Sequence, residues 1–234
     1  MTNGVSSQEP ENSSEAHEKS IRTARLTRTE LRRRLWHMAP GLLPFLMWYF
    51  PHRDPISPTM RGIMVAVVFG LAIGIFAGYR RIQRRGESNQ RLAAVAGYAA
   101  SVLLTLIAFP GDAELGLTVL AILAFGDGSA TLGGLLIGGP KLPWNRNKTV
   151  SGLVCFLVVG GAIASLIYWG ETQMNPEAVE PKATIRAAMF CGGMAALLAA
   201  LAESIPSRIN DNIRVGAVAA ATVVITHAAI VGGS

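Results

Sequence analysis

Residues 125–149 read FGDGSATLGGLLIGGPKLPWNRNKT, and this stretch decides how the rest of the chain is interpreted. One acid, Asp127, stands between two glycines inside an apolar run that ends in a short basic segment. An ionisable side chain at membrane depth is costly and is by default a candidate functional residue. The segment thus combines a carboxylate, a close backbone approach at Gly126 and Gly128, and the cations Lys141 and Lys148.

The composition of the 234-residue chain is typical of a polytopic α-helical membrane protein. Half of the residues are hydrophobic, only 15% are charged, and the mean hydropathy is +0.37. A soluble domain of this size carries more charge, and here the apolar residues form long blocks without amphipathic spacing. Cys155 and Cys191 lie in separate apolar runs, which favours packing roles over a disulfide or a metal site.

Seven apolar runs each have nearly the length that a helix needs to cross the hydrocarbon. Pro40 and Pro44 interrupt the first run and predict a kink there. We expect an all-α fold of about seven transmembrane helices, forming one catalytic domain over residues 35–234. The runs cover residues 35–50, 62–79, 92–109, 115 onward through Asp127, 150–169, 183–202 and 215–231.

The N-terminal residues differ from this pattern. Residues 1–20 are polar and almost free of aliphatic side chains, which predicts a disordered tail. They have no apolar core of the kind found in signal peptides, so none is expected. Residues 21–34 carry six arginines and are predicted to form a basic interfacial helix against anionic lipid headgroups.

The loop charges predict the orientation. Most of the 21 lysines and arginines lie in the N-terminal segment and in the loops after the second, fourth and sixth runs. The positive-inside rule then gives a cytosolic N-terminus and an external C-terminus. The net charge of +6 is explained by topology, so no nucleic-acid partner is expected. We expect the inner membrane of a bacterium, with the active site facing the cytosol.

Three acids of the predicted cytosolic side stand in unusual places. Asp127 lies within a span, Glu203 ends the sixth run, and Asp211 with Asn212 precedes the seventh. Carboxylate oxygens suit Mg²⁺, which proteins hold with one or two carboxylates together with substrate phosphates. We therefore predict that Asp127, Glu203 and Asp211 are the metal ligands, beside cations that a triphosphate would require.

Each of these features also has a plainer explanation. Gly126, Gly133 and Gly134 have the spacing that lets transmembrane helices pack closely. Lys141 and Lys148 could be topology charges. His37, beside the arginines at the mouth of the first run, is more often a hydrogen-bonded interface residue than a catalyst.

Three motifs in order resemble the CTP-dependent lipid kinases, which include phytol kinase, dolichol kinase and the yeast-type diacylglycerol kinase. The first runs from Gly126-Asp127 through Gly138-Gly139-Pro140-Lys141 to Lys148-Thr149 and Gly152. The second is Ala202-Glu203-Ser204-Ile205-Pro206 followed by Asp211-Asn212-Ile213, and the third is residues 33–41, RRLWHMAPG. The resemblance covers most of the chain from about residue 32 onward.

The resemblance implies a kinase that moves the γ-phosphoryl group of CTP to the hydroxyl of a lipid alcohol at the cytosolic face, with Mg²⁺ as cofactor. The acceptor stays open among phytol, polyprenol or dolichol, and diacylglycerol types. Asp127, Glu203 and Asp211 are the expected catalytic acids, and His37 is a possible auxiliary residue. Asp127 is expected either to bind Mg²⁺ or to orient the lipid hydroxyl. The expected nucleotide-binding residues are Gly126, Gly128, Lys141, Lys148, Thr149 and Asn212.

Two other functions stay open at this stage. A phosphatidate cytidylyltransferase, which makes a CDP-lipid, would need similar cations and acids. A transporter would explain Asp127 as an ion or proton site, but no internal repeat is visible and the acids gather at one membrane face.

Overall fold

The structure, a computed structural model, describes residues 28–49, 55–82, 89–109, 111–175 and 182–231. The predicted disordered tail, residues 1–20, lies outside the described residues, as does the first half of the predicted interfacial helix. The helices are α1 (Arg28–Met38), α2 (Leu43–Met47), α3 (Pro58–Ile82), α4 (Asn89–Ala108), α5 (Ala113–Leu136), α6 (Val150–Met174), α7 (Ile185–Ser204) and α8 (Asp211–Val231). Strands β1 (Lys141–Leu142) and β2 (Asn145–Thr149) form a hairpin between α5 and α6.

The first apolar run is broken where the prolines predict it. Helix α1 continues past the expected boundary at residue 34 and ends at Met38. A 3₁₀ turn over Ala39–Leu42 follows, with Pro40 in its first positions, and Pro44 stands in the first turn of α2. Proline is tolerated there because its missing N–H would have no helical partner in any case. The predicted kink is confirmed.

Within the described part of the chain, four helices, α5 to α8, are long and apolar enough to cross a membrane. Helices α3 and α4 contain shorter apolar stretches, over Pro58–Gly74 and Ala96–Thr105. The all-α membrane class is therefore confirmed. The number of seven spans and the positions of the termini stay predictions.

Helices α5 and α6 each contain a π-helical turn, over Ile122–Gly126 and Phe156–Gly160, and the two turns pack against each other. A Cβ atom on Gly160 would lie 2.9 Å from the Cα atom of Gly126, so the backbones meet where side chains have no room. Such turns often occur at functional sites because they shift the side chains that follow. Asp127 is the first residue after the turn in α5.

The hairpin was not predicted. Gly138 and Gly139 precede it with φ angles of 67° and 99°, which L side chains rarely adopt, so glycine is needed to leave α5 in this direction. Strand β1 pairs antiparallel with β2, and Lys141 lies opposite Thr149. The hairpin thereby returns the chain from the end of α5 to the start of α6.

Helix α7 packs between α6 and α8 through small residues. Ala188, Ala195 and Ala199 have no exposed surface. Gly192 lies against the backbone of Ser165, where an added Cβ would be 2.7 Å from the Ser165 Cα atom. Small side chains let membrane helices approach closely and gain dispersion contacts.

A polar cluster lies at the end of the bundle away from Asp127. Glu114 near the start of α5 and Glu171 near the end of α6 are fully buried. The Tyr168 hydroxyl is 3.0 Å from His227 Nδ1, and that nitrogen is 3.8 Å from Glu114 Oε1. Side chains of α5, α6 and α8 thus meet in this cluster.

We predict that Gly192→Ala destabilises the protein while Gly193→Ala does not. The first variant forces α7 away from Ser165, at a cost of about 1–3 kcal/mol for overpacking. The second places its methyl group where nothing lies within 4 Å. Thermal unfolding in detergent would measure both, and equal melting temperatures for the two variants would contradict the α6–α7 packing described.

Candidate functional site

The hairpin is held against the end of α7. The indole Nε1 of Trp144 donates to the Ser204 hydroxyl at 3.1 Å, and Asn145 Nδ2 donates to the Ser204 carbonyl at 3.0 Å. Both contacts come from the turn and the start of β2. They place the rest of β2, including Lys148, beside Glu203.

Lys148 lies between two of the predicted acids. Its ammonium group pairs with Glu203 Oε1 and lies 3.4 Å from Asp211 Oδ2. Arg214 Nη2 donates to the other oxygen of Asp211 at 2.9 Å. The end of α7, the start of α8 and the hairpin therefore meet in one cluster of two carboxylates and two cations.

The charge of Lys148 is stabilised by this cluster. Burial by itself disfavours the ammonium form, but the nearby carboxylates of Glu203 and Asp211 outweigh it and hold the pKa of Lys148 above its ordinary value. The Glu203 side chain is only 6% exposed. The pair is therefore a partly desolvated one, in which removal of either partner leaves a costly charge.

A cavity of about 270 Å³ lies between α5 and the hairpin. It has cations on the hairpin side and small residues on the α5 side, so anionic groups could lie along the helix. Its lining residues are Ala130, Thr131, Gly134, Leu135, Lys141, Leu142, Asn147, Lys148, Thr149, Gly152, Leu153 and Glu203.

Three of the predicted nucleotide-binding residues, Lys141, Lys148 and Thr149, line this cavity. The Thr149 hydroxyl also accepts from the Gly152 backbone N–H at 3.1 Å and so caps α6. The same hydroxyl lies 3.1 Å from Ser151 Oγ, so these two contacts fix its position at the edge of the cavity.

The other three predicted nucleotide-binding residues lie elsewhere. An added Cβ would meet the Phe156 ring at Gly126 and Met38 at Gly128, so both glycines serve helix packing. Asn212 is buried beside Asp211, and its backbone N–H donates to Asn210 Oδ1 at 3.0 Å. None of the three lines the cavity, and their contact with a nucleotide stays a prediction.

Asp127 lies apart from the Lys148 cluster and next to α1. Its Oδ2 atom is 3.0 Å from His37 Nε2, which makes His37 its partner across the helices. The His37 ring stacks on Tyr98 of α4, with ring centroids 3.7 Å apart. Asp127 also lies within electrostatic reach of Lys148.

The positions along α5 connect the cavity to Asp127. Residues three, four and seven positions apart share one helix face. Asp127 therefore shares a face with Ala130, Thr131 and Gly134, which line the cavity. Asp127 therefore lies about one helical turn before Ala130, the first lining residue on this face.

Of the three predicted metal-binding acids, Glu203 and Asp211 both contact Lys148, whereas Asp127 contacts His37. Among the residues that the structure describes, no group of three His, Cys, Asp or Glu side chains could hold a metal ion. Glu203 and Asp211 nonetheless share one cation, Lys148, beside the cation-lined cavity. Proteins hold Mg²⁺ with one or two carboxylates together with substrate phosphates.

Three residues of the site had no functional role in the sequence reasoning. Tyr98 is an aromatic residue inside an apolar run, which is ordinary core composition. Arg214 counted as a topology charge, and Ser204 entered only as part of a motif. A cation one helical turn after Asp211 is the signal that could have identified Arg214.

Comparison with known proteins supports the resemblance to CTP-dependent lipid kinases. The chain is 26% identical to phytol kinase 1, chloroplastic, of Arabidopsis thaliana over 214 residues, which cover 84% of this chain and 66% of the relative. It is 27% identical to probable phytol kinase 1, chloroplastic, of Glycine max over 203 residues, covering 79% and 63%. Farnesol kinase, chloroplastic, of Arabidopsis thaliana is 25% identical over 146 residues, covering 59% and 47%.

The chain thus spans slightly less than two thirds of the length of the first two of these relatives. No protein-family model matches it. No solved structure matches it.

We predict that Lys148→Met lowers the free energy of unfolding by about 2 kcal/mol, since it leaves Glu203 buried without its cation. The additional change Glu203→Gln should restore part of this loss, and Lys141→Met, at an exposed position, serves as the control. Denaturant titration would measure all three variants. Equal stability of Lys148→Met and Lys141→Met would contradict the pair.

The same pair predicts a pH dependence. Because the pKa of Lys148 is raised in the folded protein, its stabilisation is complete below the ordinary lysine value of about 10.4 and is lost only as the pH rises above it. The difference in melting temperature between the wild type and Lys148→Met should therefore stay constant at near-neutral pH and shrink in strong alkali.

Proposed function

We propose that the protein is an integral membrane kinase that transfers the γ-phosphoryl group of CTP to the hydroxyl of a lipid alcohol. The observation that carries the proposal is the cation-lined cavity against α5, whose lining begins at Ala130, three residues after Asp127, inside a bundle of membrane-length helices. The names of the relatives, phytol kinase and farnesol kinase, support an isoprenoid alcohol as the acceptor. The use of CTP rests on the motif resemblance.

The chemistry needs positioning and charge neutralisation more than covalent catalysis. Lys141, Lys148 and Thr149 would hold the phosphates in the cavity. The alcohol oxygen forms a bond to the γ-phosphorus, and the bond from that phosphorus to the β,γ-bridging oxygen breaks. CDP leaves with the electron pair, and the hydroxyl proton passes to a carboxylate of the site.

Glu203 and Asp211 are the residues that would hold Mg²⁺. When bound, the ion would offset the negative charge of the phosphates. Two roles are expected for Asp127, metal binding and orientation of the acceptor hydroxyl. Its pairing with His37 favours the second.

We further propose that the cavity opens on the cytosolic side, in the inner membrane of a bacterium. The support for the facing is the loop charge asymmetry: the hairpin and the arginine-rich α1 lie at the same end of the bundle as Asp127. The bacterial compartment stays a sequence expectation, and the relatives named above are chloroplastic proteins.

A label in the nucleotide tests the reaction. Purified full-length protein would receive Mg²⁺, phytol, farnesol, phosphatidic acid, and CTP labelled at the α or the γ phosphorus. We expect labelled lipid only from γ-labelled CTP, with CDP as the other product and little transfer from ATP. Asp127→Asn, an isosteric change that removes the charge, should abolish transfer and leave the yield of membrane protein unchanged.

Lipid labelled only from α-labelled CTP, with release of pyrophosphate, would replace the kinase with a cytidylyltransferase. The absence of turnover with every lipid would favour a transporter.

Thiol labelling tests the facing. Single cysteines at Asn147 and Met174, both exposed, would be introduced after replacement of Cys155 and Cys191 by alanine. In intact cells an impermeant reagent should label position 174, and position 147 should react only after permeabilisation. Labelling of position 147 in intact cells would reverse the proposed orientation.

A further inference from the structure

Tyr98 carries a buried hydroxyl that the site described so far does not use. The residue is only 4% exposed, and its phenol oxygen finds no hydrogen-bond partner among the described residues. A buried hydroxyl without a partner costs about 1–3 kcal/mol, so native proteins rarely keep one without a reason. The hydroxyl therefore needs an explanation.

The neighbours of Tyr98 are the two groups that pair across α1 and α5. His37 stacks on the Tyr98 ring at 3.7 Å between centroids and reaches Asp127 Oδ2 with its Nε2 atom at 3.0 Å. Tyr98 itself lies within electrostatic reach of Asp127. Tyr98 thus lies against the face of the His37 ring and Asp127 at its Nε2 edge, so both groups border the same imidazole. The second oxygen of Asp127 is not taken by that contact.

The depth of this niche, formed by His37, Tyr98 and Asp127, restricts what can enter it. Asp127 lies nine residues before the end of α5 at Leu136, which is about 14 Å along a helix. Tyr98 lies the same number of residues after the start of α4 at Asn89. A triphosphate belongs in the cation-lined cavity nearer the helix ends, whereas a hydroxyl on an apolar chain can reach this depth.

The surface beside the niche is apolar. Leu35 and Trp36 precede His37 in α1 and are half-exposed. Since both side chains are exposed while α1 packs against α5, they are open to lipid in a membrane. An alkyl or prenyl chain could lie along them and place its end group near His37.

We propose that this niche binds the hydroxyl of the acceptor alcohol, an inference that rests on the proposed function. The Tyr98 hydroxyl donates to the acceptor oxygen, and Asp127 accepts the acceptor's O–H. His37 is a positioning residue that holds the Asp127 carboxylate. Asp127 thereby presents the acceptor oxygen to the end of the cavity, where the γ-phosphorus would lie.

Binding without turnover tests the niche. Full-length protein in lipid nanodiscs would bind tritiated phytol in the absence of nucleotide, and unlabelled phytol or phytyl methyl ether would compete. The ether keeps the oxygen that accepts from Tyr98 and lacks the O–H that Asp127 accepts. We expect the wild type to bind phytol roughly tenfold more tightly than the ether, as one hydrogen bond to a charged group allows.

The variants separate the two contacts. Tyr98→Phe should weaken phytol and ether alike, by roughly threefold to tenfold, and keep the preference for phytol. Asp127→Ala should abolish that preference. Tyr168→Phe, which alters the buried tyrosine at the other end of the bundle, should leave both affinities unchanged.

The outcomes distinguish this niche from the proposed function. If γ-labelled CTP phosphorylates phytol in the wild type but Tyr98→Phe binds like Tyr168→Phe, or Asp127→Ala keeps the preference, the niche is wrong and the kinase stands. If the expected binding pattern appears and no alcohol is phosphorylated, the niche stands as an alcohol site and the kinase is wrong.

Discussion

The arrangement of this end of the bundle depends on one ammonium group shared by two carboxylates. Glu203 at the end of α7 and Asp211 at the start of α8 would repel each other across a short connection without a cation between them. Lys148 supplies that cation from the hairpin, while Trp144 and Asn145 fix the hairpin to Ser204. A partly buried ion pair adds little net stability, but it fixes where three chain segments meet. The ion pairs of Lys148 therefore help to position the cavity wall that Lys148 and Glu203 form.

The second constraint is the crossing of α5 and α6. Their π-helical turns meet at Gly126 and Gly160, where only glycine fits. The turn in α5 ends directly before Asp127, so the crossing that needs small residues also sets the direction of the carboxylate. Asp127 therefore meets His37 of α1, while the residues one and two helical turns later face the cavity. The same face of α5 therefore borders both the His37 contact and the cavity.

The sequence predicted those parts of the site that consist of acids within or next to apolar runs. Asp127 was found because an acid in an apolar run is costly, and Glu203 and Asp211 because they flank a loop at the same face. The hairpin was missed because a two-residue strand has no periodicity to detect, and its direction depends on the φ angles of Gly138 and Gly139.

The packing roles of Gly126 and Gly128 depend on Phe156 and Met38, which lie far away in the chain. Tyr98 has no sequence signal, because its hydroxyl matters only through its neighbours. Such contacts are set by tertiary packing, which local composition does not encode.

The buried acids at the far end of the bundle have a consequence for biogenesis. Glu114 and Glu171 belong to α5 and α6 and are fully enclosed, yet His227, which Glu114 approaches, comes from α8, the last described helix to be synthesised. Acids near helix ends can remain at the headgroup level while a helix enters the bilayer alone. The contact of Glu114 with His227 can then form only when α8 arrives. The polar cluster of α5, α6 and α8 is therefore completed only when the last described helix joins the bundle.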